Sequence, residues 1–187
     1  MDTSMYDQEG IAELITSNPL KAGFMILILA PVLEEAMFRT LIKPSHFDLM
    51  LFFAIWPTVL INGFIPSETH WTINALFIIV LLFTLSYVLS LLIPEKYTLK
   101  IRAFLERFHI SIWVVSSVIF GLVHISNYVD SFTFNLALFI LTAPRIIAGF
   151  MMGWVKIKNG AIYWSMALHF MNNALPFLLA LAAQGQR

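Results

Sequence analysis

The 187-residue sequence contains no cysteine, and only 12% of its residues are charged. Without cysteine there can be no disulfide scaffold, thiolate metal site or cysteine nucleophile, and the redox compartment cannot be read. The scarcity of charge argues against an ordinary soluble domain, where about a quarter of residues are charged. Eleven Lys and Arg balance eleven Asp and Glu, so there is no basic excess to suggest a nucleic-acid partner. HExxH, GxSxG, Walker and GxGxxG patterns are all missing. That sets aside zincins, nucleophile-elbow hydrolases, P-loop proteins and dinucleotide-binding domains. The start of the chain lacks the basic region of a signal peptide.

Apolar residues dominate instead, at 59% of the chain, with a mean hydropathy of +0.83. Six apolar stretches run over 20–42, 47–65, 72–93, 110–127, 132–155 and 160–183. A helix rises about 1.5 Å per residue, so about 20 residues cross a hydrocarbon core about 30 Å thick. Lipid offers backbone groups no partner, which forces these stretches into helices. The fold class predicted is all-α, a polytopic integral membrane bundle of about six transmembrane helices. Residues 8–17 predict a short amphipathic surface helix ending before Pro19, and 94–109 predict an interfacial helix. Loops one, three and five carry Lys43, then Lys96, Lys100, Arg102 and Arg107, then Lys156 and Lys158; the opposite side carries Lys21 and Arg187. The positive-inside rule therefore puts these three loops in the cytoplasm and both termini outside.

Polar side chains inside apolar spans are costly and mark cavities or sites. The first span holds Glu34, Glu35 and Arg39 just after Pro31. Glu35 and Arg39 are i,i+4 and share a face, while Glu34 points about 100° away, toward a different neighbour. His124 follows Phe120 by four residues, with Gly121 permitting close helix approach. In the last span, His169 and Asn173 share a face. Arg145 has no assigned role; it either pairs with a carboxylate or snorkels to an edge. Two imidazoles, one or two carboxylates and a carboxamide can hold a divalent ion such as Zn²⁺ or activate water directly. On straight helices His169 lies about 13 Å from the cytoplasmic end. His124 lies about 24 Å deep counted from Phe108, or about 18 Å counted from Ile112.

EEAMFR (34–39), FGLVH (120–124) and HFMNN (169–173) resemble, in order, the EExxxR, FxxxH and HxxxN motifs of the CAAX-protease and bacteriocin-processing (CPBP, or Abi) family of intramembrane proteases. GFMMGWVKIKNGAIYWSMALH (149–169) is similar to that family's glycine-marked approach to its third motif. The resemblance covers residues 20–180 and implies a CAAX-protease-like core. It implies that Glu34 is the catalytic glutamate, supported by Glu35 and Arg39. It further implies that His124 cooperates around the water or metal, and that His169 and Asn173 stabilise the oxyanion or ligate the metal. The metal set implied is Glu34, His124, His169 and Asn173, with Zn²⁺ the favoured ion and no organic cofactor. The function expected is hydrolysis of a peptide bond in a membrane-associated or lipidated protein or peptide, within a bacterial inner membrane. Two rivals use the same residues: a transporter or ion path, and an inactive scaffold of the same family. The 89-residue gap from Glu35 to His124 is longer than expected for the family, so a hairpin over 47–93 reads as an insertion. The domain reading is a segment 1–19, a protease domain 20–183 and a tail 184–187. Fuller relatives are expected to have additional N-terminal spans.

Overall fold

The computed structural model describes residues 9–129 and 135–184. Arg187 of the charge count, the beginning of the fifth apolar stretch, and parts of the two terminal segments lie outside the described residues. The described residues are helical, in the order α1 (Glu9–Ser17), α2 (Pro19–Phe24), a π turn (Met25–Leu29), α3 (Ala30–Phe38), α4 (His46–Asn62), α5 (Trp71–Leu92), α6 (Glu95–Arg107), α7 (His109–Val123), a 3-10 turn (His124–Asn127), α8 (Leu136–Asn159) and α9 (Ile162–Gln184).

The expectation of six similar spans needs correcting. Among the described residues, four helices are long and apolar enough to cross a membrane: Trp71–Leu92, His109–Asn127, Leu136–Asn159 and Ile162–Ala183. The second stretch forms the shorter α4. The first is interrupted at its middle and ends at Phe38. Its interruption has a local cause. Pro31 cannot donate to the Leu27 carbonyl, and the ladder widens into a π turn just ahead of it, where the Ala30 N–H reaches back to Met25 O. Asn18 starts this run, its Oδ1 accepting from Lys21 N at 3.0 Å, with Pro19 in the first turn, where its missing N–H costs nothing. The fold class stands: an all-α membrane bundle. Leu76, Val80, Phe83 and Leu91 stay exposed on α5, an apolar face that suits lipid and would be a liability in water. Inside the bundle, Thr58, Ser86, Ser117 and Thr142 are buried and donate to carbonyls four residues back, at 2.7–2.8 Å, so no hydroxyl proton is stranded.

Loops one, three and five meet at one end, as their shared charge requires. Arg102 Nε of α6 donates to Pro44 O at 3.1 Å, and His46 Nδ1 lies 3.0 Å from Thr98 Oγ1. Ser45 and Asp48 form a capping box that starts α4. Lys156 departs from the sequence reading. It is not a free loop charge: it is fully buried in the last turn of α8, with Nζ 2.8 Å from Asp48 Oδ2 and 2.7 Å from Gly160 O. Gly160 closes α8 with φ at 75°, a left-handed position that glycine adopts without strain.

Helices α7 and α8 pack closely because Gly121, Gly149 and Gly153 present no Cβ at their contact. A Cβ on Gly121 would sit 2.8 Å from Ile146 N and 2.9 Å from Ile146 Cα, backbone that cannot step aside. Gly121→Ala should therefore force the helices apart, at about 1–3 kcal/mol. His124 should shift with them, because it lies three residues beyond. A thermal melt in detergent, with the wild type alongside, checks this.

Candidate active site

Three elements far apart in sequence converge: α3, the end of α7 and the middle of α9. Glu34 Oε2 lies 3.7 Å from His124 Nε2 and 3.6 Å from His169 Nε2. The neighbouring carboxylate points elsewhere, as the 100° offset requires. Glu35 Oε1 lies 3.0 Å from His169 Nδ1, and its Oε2 lies 3.5 Å from Arg39 Nε.

These partners fix the orientation of both imidazoles. Phe120 O can only accept, so His124 Nδ1 at 2.7 Å carries the proton and donates. His169 Nδ1 likewise donates to the Glu35 carboxylate. Each ring therefore turns Nε2 toward Glu34. Glu34 Oε2 has no hydrogen-bond partner among the described residues although it is buried. At 3.6–3.7 Å these polar atoms converge without hydrogen-bonding one another, and a water seated beside them on the cavity side can touch the carboxylate and an imidazole together.

Glu35 and Arg39 are completely buried. The guanidinium lies 4.7 Å from the centroid of the Phe120 ring, a cation–π contact. The same ring packs edge-on against His124 and His169, with centroids 4.9 and 5.6 Å away. Phe120 is thus the apolar post around which the site is built. Sequence reasoning used it only as a spacing mark for His124.

Asn173 has a second task, set by the π turn. Its Nδ2 donates to Ile26 O at 3.0 Å, tying α9 to the turn that precedes Glu34. An amide carries two such hydrogens, so one remains for a substrate oxygen. Asn173→Leu should release the π turn and lower both activity and melting temperature. Asn173→Ser should recover stability better than activity. Paired melts and rate measurements separate the two losses.

The straight-helix depths assigned to His124 and His169 do not hold. They assumed that every span starts at one level, whereas both imidazoles reach the same carboxylate. A cavity of about 410 Å³ opens over the cluster. Glu34, His124, His169 and Asn173 line it together with Asn127 and Arg145, and Ile11, Ile15, Ile26 and Phe177 form apolar wall. The contributions of α1 and Asn127 were not read from sequence. Only the short amphipathic pattern of α1 hinted that it would lie against something apolar.

The residues suit a divalent ion in donor type but not in arrangement. Two imidazole Nε2 atoms and a carboxylate oxygen are suitable ligands, each imidazole backed by an acceptor at Nδ1. Yet among the described residues no group of three or more His, Cys, Asp or Glu side chains is placed to hold a metal ion.

Residues 97–175 match the family model described as type II CAAX prenyl endopeptidase Rce1-like. The resemblance is borne out over the second and third motifs: this stretch is Rce1-like. It contains His124, His169 and Asn173 but not Glu34, Glu35 and Arg39; the fold brings the two glutamates to these histidines. No curated protein and no solved structure matches the chain.

Proposed function

We propose that the protein is an intramembrane endopeptidase that hydrolyses a peptide bond of a membrane-associated or lipidated chain, with water activated at Glu34. The observation that carries this reading is the convergence of two imidazole Nε2 atoms on Glu34 Oε2, a buried oxygen with no hydrogen-bond partner among the described residues, beside a cavity with apolar side chains in its wall.

Water fits the site chemically. It can donate one hydrogen to Glu34 Oε2 and the other to a histidine Nε2, leaving a lone pair free for the scissile carbonyl carbon. Glu34 takes a proton as the C–O bond forms, and passes it to the leaving amine as the C–N bond breaks. The remaining amide hydrogen of Asn173 stabilises the oxyanion in a pocket where water competes little. Glu35 and Arg39 are positioning residues: they hold His169 and anchor α3 without touching substrate. The setting we infer is a bacterial inner membrane.

The test is cleavage of a quenched-fluorescent lipidated peptide by purified protein in liposomes, with Glu34→Ala alongside. Cleavage by the wild type and none by the variant supports the reading. Full turnover by the variant overturns it. Solute uptake without cleavage would favour the transport alternative, and cellular function indifferent to all motif substitutions would favour a scaffold.

A further inference from the structure

Helix α6 has no part in the chemistry above, yet its side chains are sorted by type around its axis. Ile93 and Pro94 join it to the span α5, and Phe108 joins it to the span α7, so both its ends are held at one face of the membrane. At about 100° per residue its surface divides into four stripes. Thr98 and Arg102 face the bundle: Thr98 is buried and meets His46, and Arg102 donates to Pro44 O and pairs with Glu95. Tyr97, Ile101, Phe104 and Phe108 form an apolar stripe that stays exposed, Phe104 to 61%, and continues the exposed Leu91 and Leu92 of α5 and Ile110 of α7. Glu95 and Glu106 lie on the side away from that stripe. Between the acids and the apolar stripe, within an arc of about 40°, come Lys96, Lys100 and Arg107.

These three cations are exposed, and among the described residues none of them is in an ion pair. No acidic residue stands three or four positions from any of them, whereas Lys96 and Lys100 are i,i+4, a like-charge pair that weakens a helix on its own. Anions outside the chain would relieve that repulsion. Lys96 lies over the Tyr97 ring, 5.1 Å from its centroid, and Arg107 over the Phe108 ring at 5.7 Å, which sets two of the cations along the edge of the apolar stripe. With that stripe among the acyl chains, the cations lie at headgroup depth and the acids point to water. We propose that α6 binds the anionic phospholipid headgroups of the leaflet against which it lies. Interfacial placement alone asks for no particular headgroup; the stripe of cations without ion-pair partners does. An acidic protein segment would match the cations but not the apolar stripe beside them, which runs on into the membrane spans.

The experiment uses the full chain in phosphatidylcholine liposomes carrying a trace of spin-labelled phosphatidylglycerol or phosphatidylcholine. Electron paramagnetic resonance reads the share of each lipid held at the protein. The wild type should prefer phosphatidylglycerol by about threefold or more. The preference should shrink at about 0.5 M salt, where headgroup attraction is screened. Lys96→Gln/Lys100→Gln/Arg107→Gln should bring the ratio close to one, and the charge-conserving Lys96→Arg/Lys100→Arg/Arg107→Lys should keep it. Lys43→Gln/Lys158→Gln removes two cations from the same end of the bundle but none from α6, and should leave most of the preference in place. An unchanged melt in zwitterionic micelles shows that the triple glutamine variant is folded, and the salt series on the wild type needs no variant. A wild type that holds both lipids equally overturns the proposal and leaves the cations to an acidic protein segment. A preference that survives the triple glutamine substitution, or that withstands high salt, overturns it too. So does a preference lost equally in Lys43→Gln/Lys158→Gln, which would assign it to the whole end of the bundle.

Discussion

Glu34→Gln should abolish peptide cleavage while leaving the fold intact. The substitution keeps the shape of the side chain but removes the oxygen that accepts a proton from water, and loss of a general base costs about 10²–10⁴-fold in rate. The fold should survive because Glu34 anchors nothing: its oxygen makes no hydrogen bond among the described residues, and its histidine neighbours are held by Phe120 O and Glu35. Glu35→Gln is the informative contrast. Glu35 is fully buried between His169 and Arg39, so its loss strands a buried guanidinium. Breaking a buried pair on one side costs about 3–5 kcal/mol. Activity should therefore disappear in both variants, with the melting temperature preserved in Glu34→Gln and lowered in Glu35→Gln. Equal melting losses would mean that Glu34 is structural.

Lys156→Met should be the most destabilising single change outside the site. Its ammonium has two partners, Asp48 and the Gly160 carbonyl, at the end of the bundle where α4 begins and α8 ends. The methionine would fill most of the volume but leave the buried Asp48 carboxylate without its cation, again at about 3–5 kcal/mol. The double variant Asp48→Asn/Lys156→Met should regain much of this loss, because the stranded charge is gone and the Asn oxygen can still accept from Ser45 N in the capping box. Unfolding in mixed detergent micelles, followed by circular dichroism, gives both values. A single variant as stable as wild type would show that the pair is solvated rather than buried.

Much of this architecture was legible because lipid leaves few choices. Long apolar runs had to become helices, and α5, α7, α8 and α9 fall close to the stretches read from sequence. The i,i+4 rule placed Glu35 on the Arg39 face and turned Glu34 away, and the structure has both. What sequence could not show was how the helices seat against one another. The depth of His124 misled because helix starts need not be level. Lys156 read as a loop charge because nothing local reveals that Asp48, 108 residues earlier, will lie beside it. The π turn depends on Pro31 together with Asn173, which only tertiary contact brings to Ile26 O. Arg145 was visible as an oddity, but the cavity it lines is assembled from α1, the π turn, α3, the 3-10 turn after α7, α8 and α9.

The direct test of the whole account is the separation of Glu34 and His169 in a bilayer. Protein labelled with ¹³C at glutamate and ¹⁵N at histidine, reconstituted in liposomes, permits a solid-state NMR measurement between the Glu34 carboxylate carbon and His169 Nε2. The account predicts strong coupling, in keeping with an Oε2–Nε2 distance of 3.6 Å, and its loss in Glu34→Gln if that residue alone is left unlabelled. A wild-type coupling too weak for one bridging water to span the two groups would contradict it, since no single water could then be shared between base and imidazole.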